Sequence, residues 1–179
     1  MHRLVALLCV FACATPVAAR ERGPAHLPLV DQTGNRFSLS DLSGRPTFVT
    51  FVATRCTDTC PIANAEFSRF AAELDRTRTR VNLVTVTLDP DYDTPFVLAR
   101  EARRYGADAR VWRFAGGTPR DVRSLMRAFG VVTERDRHGV PDVHTTFVYV
   151  LDRSGRLAHT LLLSTDFARE AAQLARERT

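Results

Sequence analysis

Lysine is absent from this 179-residue sequence; all 25 basic residues are arginine. Such a set reads as genomic base composition rather than function. The arginines are scattered among carboxylates, and their densest run is Arg76, Arg78 and Arg80. A basic stripe interleaved with aromatic residues is missing, so the net charge of +5 gives no support to nucleic-acid binding. Cysteine is also scarce, at positions 9, 13, 56 and 60 only. No internal repeat or low-complexity segment is present. The apolar run from Leu4 to Ala14 is too short to cross a bilayer as a helix. What remains is a chain of 45% hydrophobic and 25% charged residues, the balance of a folded globular protein. Its length suits one domain better than two.

The first residues, MHRLVALLCVFACATPVAAR, have the layout of a secretory signal peptide. Arg3 supplies a short positive region, the apolar run follows, Pro16 breaks it, and Val17-Ala18-Ala19 offers small residues before a cut at Arg20. A second reading takes Val10 to Cys13 as a lipoprotein box, with Cys13 lipidated; Phe11 fits that poorly. The expected division is a signal peptide over 1–19, a flexible leader over 20–28 and one domain over 29–179, exported and periplasmic, either without an anchor or held by lipid on Cys13. In that form Cys56 and Cys60 are the two thiols of the domain. Outside the cytoplasm two neighbouring thiols tend to pair unless reductant or metal holds them.

Along the chain, Leu29 to Phe37 predicts a small hairpin turned at Gly34-Asn35. Pro46 to Val52 is β-branched and aromatic at both parities, as in a strand buried on both faces. The cysteine loop follows, and Pro61 opens a helix to about Arg76. Val81 to Leu88 predicts a second core strand. Helices start at Thr94-Pro95 and Thr118-Pro119, stopped by Gly106 and Gly130, with a short strand over Val111 to Ala115 between them. Thr145 to Leu151 is a third strong strand. Asp152 to Gly155 turns it into a return strand over Arg156 to Leu163, and a last amphipathic helix begins at Thr165-Asp166. Strands alternating with helices, then a hairpin and a helix, indicate an α/β layer fold with a mixed sheet.

Cys56 and Cys60 stand directly after a buried strand, at the entrance of a helix. Unsatisfied amides and the helix dipole stabilise a thiolate there, and Arg55 adds positive charge. A lowered thiol pKa is therefore expected. A structural disulfide is the plainer reading, but a bridge this local restrains the unfolded chain little. The spacing is C-x-x-x-C, one residue wider than the C-x-x-C of thioredoxin-type oxidoreductases. The wider loop opens more readily into a chelate, and thiolates select Cu(I). A third ligand would have to be a histidine. His2 lies in the signal, His26 in the leader, His138 in a polar turn and His159 on the last hairpin strand. His144 stands at the mouth of the third core strand, although a lone histidine at a strand end is more often structural.

Several segments in order resemble the Sco/SenC family of thioredoxin-like copper-handling proteins. The family's C-x-x-x-C-P is matched by Cys56 to Pro61, and its D-P-x-x-D-T by Asp89 to Thr94. Its Trp and Gly region is matched by Trp112 to Gly117. Its histidine before a strand ending in D-x-x-G is matched by His144, Phe147 to Leu151 and Asp152 to Gly155. The similarity spans roughly residues 28 to 175. It implies a thioredoxin-like fold: a central mixed sheet flanked by helices, with an N-terminal hairpin. It also implies Cys56, Cys60 and His144 as ligands of copper, Cu(I) or Cu(II). The implied task is delivery of copper to the binuclear copper site of cytochrome c oxidase, or preparation of that site's cysteines. The partner would be the copper-bearing subunit, or another exported copper or thiol protein. Two departures stand out: Ala53 occupies a position that is often aromatic, and Val143 separates Asp142 from the histidine. Asp89 reads first as a turn residue before Pro90.

The alternative is an enzyme, a thiol–disulfide oxidoreductase in which Cys56 and Cys60 are the redox pair and act on exported partners. A zinc site would need a fourth ligand or water. A peroxidase is more distant, since the Pro-x-x-x-Thr-x-x-Cys pattern is missing between Pro46 and Cys56.

Overall fold

A computed structural model describes residues 24–57, 59–144, 147–164 and 166–178, with 142–144 and 178 described by backbone alone. The expected signal peptide, Cys9 and Cys13 lie outside the described residues.

Three strands with no polar face build the centre. They are β3 (Thr47–Val52), β4 (Asn82–Thr87) and β5 (Trp112–Gly116), with every residue of β3 and β4 buried. Parallel strands covered on both faces need such near-continuous apolar runs. β3 pairs in parallel with β4, and β4 with β5. The crossovers are helical: α1 (Thr59–Thr77) joins β3 to β4, and α2 (Pro95–Arg104) joins β4 to β5. Antiparallel strands extend the sheet on both sides. β1 (Leu29–Asp31) and β2 (Arg36–Phe37) are the expected hairpin, and Gly34 takes the left-handed φ of +86° in its turn. β8 (Phe147–Leu151) and β9 (Leu157–Leu162) lie on the β3 side, giving the order β2-β1-β5-β4-β3-β8-β9. Helices α3 (Pro119–Ala128) and α4 (Phe167–Arg178) complete the fold. The expected mixed sheet flanked by helices is what the chain forms, and the fold is thioredoxin-like.

Alternation along the strands sorts two cores. Phe48, Leu83, Trp112, Phe114, Val148 and Val150 face one side, with Phe67 and Phe70 of α1, Leu98 of α2 and Phe167 of α4. Val49, Phe51, Val84, Val86, Ala115 and Tyr149 face the other, with Val122 and Leu125 of α3. Thr94 and Thr118 cap α2 and α3 by accepting from the amides of Val97 and Asp121.

Two expectations need correction and one needs an addition. The helix after the cysteines starts at Thr59, not Pro61, so Cys60 belongs to its first turn and Pro61 is its third residue. Proline is tolerated there because first-turn amides have no intrahelical acceptor. Residues 24–28, read as flexible leader, include a 3₁₀ turn (Pro24–His26), and Ala25 within it and Leu27 after it pack on the core. The segment before the third strand is a separate two-stranded sheet of β6 (Thr133–Arg135) and β7 (Pro141–His144). His144, at the mouth of the third strand, is thus also the last residue of β7.

Phe67 stacks on Phe167 with centroids 5.5 Å apart and lies 5.8 Å from Trp112. Truncation there opens a cavity between α1, α4 and the sheet. Phe67→Ala should cost about 3–5 kcal/mol in urea unfolding; a loss under about 1 kcal/mol, within the ordinary range of point mutants, would contradict this packing.

Candidate metal centre

The parallel pairing of β3 with β4 sets Val52 opposite Thr87, so the loops that follow the two strands leave the sheet together. The first loop carries Thr54, Arg55 and Cys56; the second carries Asp89 and Asp93. Both carboxylates are almost wholly buried, with 1% of Asp89 and 3% of Asp93 exposed. Burial at that level obliges each to find donors. Asp93 accepts from the Thr54 amide at 3.2 Å, from the Thr54 hydroxyl and from the Thr87 hydroxyl at 2.5 Å. Asp89 accepts from Nε and Nη2 of Arg55 at 3.1 and 2.5 Å. On its other oxygen it accepts from Nη1 of Arg135 at 3.0 Å. The Arg55 guanidinium also lies 4.3 Å above the ring of Tyr92. Asp89 does close a turn, accepting from the amides of Tyr92 and Asp93 on its carbonyl, but its carboxylate adds a second role.

Held from behind in this way, the loop places its two cysteines at the start of α1. Their exposure is 6% for Cys56 and 2% for Cys60, and both are thiols rather than a disulfide. The Ala53 amide points at Sγ of Cys60 from 3.4 Å, and the Cys56 amide donates to the Ala53 carbonyl at 3.1 Å. A hydrogen bond with Cys56 and then burial push the Cys60 thiol up, against the expected lowering. The reasons are local. The Arg55 guanidinium is directed to Asp89, which raises its own pKa, so its charge is neutralised away from sulfur. Pro61 removes one amide from the helix turn that was to stabilise a thiolate.

Of the histidines, His26 pairs with the Ser40 hydroxyl at 2.9 Å and His138 accepts from Nε of Arg137 at 3.1 Å, both in exposed positions. His159 lies in β9 opposite Val150, which itself pairs with Phe48 near the start of β3, whereas the cysteine loop follows the end of that strand. His144 closes β7 with its backbone opposite Thr133; its side chain lies outside the described residues. Among the described residues, no three His, Cys, Asp or Glu groups converge as a metal cage. The structure thus brings Cys56 and Cys60 together and places the backbone of His144 at the end of β7.

The SCO1/SenC family model matches residues 18–178. The chain belongs to the SCO1/SenC family. A protein of Stutzerimonas stutzeri named for copper binding is 34% identical over 142 residues, 78% of this chain. The SCO1/SenC chain spans only 64% of that relative's length. Among solved structures, Bradyrhizobium japonicum ScoI with copper bound superposes with a TM-score of 0.75 at 24% identity, over 86% of this chain and 97% of that one. BsSco, described as having a disulfide switch and as a member of the Sco family of cytochrome c oxidase assembly proteins, gives 0.74 at 19% identity, over 84% and 90%. At these identities the superpositions establish the shared fold.

Sequence reasoning noticed the D-P-x-x-D pattern but missed that both carboxylates turn inward to the cysteine loop. The signal available was their four-residue separation after a buried strand. Arg135 had no sequence signal at all.

Burial raises the Asp93 carboxyl pKa more than its threonine donors lower it. A carboxyl raised above the unfolded value of about 3.9 binds more protons folded than unfolded. Its contribution to stability therefore falls as pH rises through that window. Asp93→Asn should flatten the decline in unfolding free energy above about pH 4, read by urea melts at several pH values. An unchanged profile would show that Asp93 does not titrate in the folded state.

Proposed function

We propose that this SCO1/SenC chain binds one copper ion through Cys56, Cys60 and His144 and passes it to a protein partner. The observation that carries the reading is the pair of buried thiols held within hydrogen-bonding reach of each other on a clamped loop. Sulfur is a soft donor suited to Cu(I). The buried Cys60 thiol ionises reluctantly alone, and a bound cation compensates the charge as its proton leaves. The Ala53 amide supplies a hydrogen bond to one sulfur in that state. Copper-bound relatives share the fold, which supports the metal.

The task that follows is transfer by ligand exchange. Two sulfurs and one imidazole leave Cu(I) open to an entering ligand from the partner. The recipient proposed is the copper-bearing subunit of cytochrome c oxidase, in keeping with the assembly role named for BsSco. We place this work outside the cytoplasm, with the N-terminal segment as the export signal. Among the described residues, no helix is long and apolar enough to cross a membrane. Loss of two electrons and two protons to an external oxidant would join Cys56 to Cys60 and abolish the site, so the dithiol is the loading form.

Reduced protein titrated with Cu(I) against a competing chelator should hold one copper per chain. Cys56→Ser and Cys60→Ser should each release it. His144→Ala should weaken Cu(II) binding ~10-fold or more, as loss of metal-site support commonly does, and weaken Cu(I) less. Full Cu(I) affinity in the double serine variant would overturn the assignment.

A further inference from the structure

The β6–β7 hairpin bears His144, yet its two strands form a sheet of their own and join no strand of the main sheet. Val131 is buried where the hairpin begins, and Pro141 is buried at the start of β7. Among the described residues, the one ion pair that ties the hairpin to the rest of the fold runs from Arg135 to Asp89. Arg135 sits at the irregularity in the β6–β7 register, and its Nη1 also donates to the Gly139 carbonyl in the hairpin's turn. One guanidinium thus grips the hairpin's turn and, outside the hairpin, Asp89. The same carboxylate holds Arg55, the residue before Cys56.

We infer that Arg135 is a positioning residue: through Asp89 it latches the β6–β7 hairpin to the cysteine loop and so fixes where the end of β7 stands relative to Cys56 and Cys60. The inference builds on the copper reading above. The physical basis is that Asp89 is 1% exposed and can take two guanidiniums because it offers two oxygens, one to each arginine. A buried carboxylate between two cations has little freedom to exchange partners with water. The two segments that carry the proposed ligands, one N-terminal and one C-terminal in the chain, therefore meet at one group. Arg135 is itself 43% exposed on its side chain, so its replacement should not remove core packing.

The test uses Arg135→Ala, Arg135→Lys and wild type, full chain, reduced. Hydrogen exchange of the apoprotein should speed up in Arg135→Ala over residues 133–144 and stay unchanged over β3, β4 and β5. Cu(II) affinity should fall ~10-fold, the scale for losing an outer support of a metal ligand, with Cu(I) affinity nearly retained. Arg135→Lys should restore part of both. Asp89→Asn should loosen the hairpin and the cysteine loop together. Unchanged hairpin exchange in Arg135→Ala overturns the latch. Faster exchange in the hairpin with unchanged Cu(II) affinity overturns the positioning role, and equal loosening of the main sheet reduces Arg135 to a structural residue. Should wild type bind no copper, the function proposed above fails by itself, while hairpin exchange still decides the latch.

Discussion

Two carboxylates buried at the end of the central strand β4 must be satisfied, and among the residues that satisfy them are the two that precede Cys56. Asp93 takes the amide and hydroxyl of Thr54, and Asp89 takes the guanidinium of Arg55. This double clamp depends on the parallel register of β3 and β4, which brings the ends of both strands level. Without it the segment between β3 and α1 would be an ordinary surface loop with a choice of conformations. With it, the cysteines enter the first turn of α1 from a fixed direction. Asp89 divides its two oxygens between Arg55 and Arg135, so losing one arginine leaves the other pair in place.

The thiol environment follows from the same arrangement. Arg55 was expected to sit as a cation near sulfur, and its charge is matched by Asp89 instead. The thiols have as neighbours each other, the Ala53 amide and the Thr59 hydroxyl, within a largely apolar core. Such a pair is a poor place for a lone thiolate at Cys60, where the Cys56 hydrogen bond and burial both favour the proton. It is a better place for a soft cation that brings its own charge. That environment is the ground on which the copper reading is proposed ahead of nucleophilic attack by Cys60.

Much of the fold was legible in the residues because its elements carry strong local signals. β3 and β4 were visible as apolar runs at both parities, α2 and α3 as Thr-Pro starts with Gly stops, and the β1–β2 turn as Gly34-Asn35. The β6–β7 hairpin was not, because Thr133–Arg135 is polar and short and its turn is stabilised by Asp136 accepting from the His138 and Val140 amides. The Cys56 and Cys60 pair stood out by its spacing and by its place between a buried strand and a helix start. His144 came through family resemblance, and Asp89 was recognised only as a turn. The side-chain roles of Asp89, Asp93 and Arg135 are long-range, 34 to 46 residues from their partners in the cases of Arg55 and Arg135, and no local pattern announces them.

The central claim is that copper sits on the sulfurs of Cys56 and Cys60. Copper K-edge X-ray absorption on the reduced protein loaded with one equivalent of Cu(I) reads the donor atoms directly. Two sulfur scatterers, joined by at most one imidazole nitrogen, are the predicted shell. A first shell of oxygen or nitrogen alone, with the thiols still open to alkylation, would contradict the account.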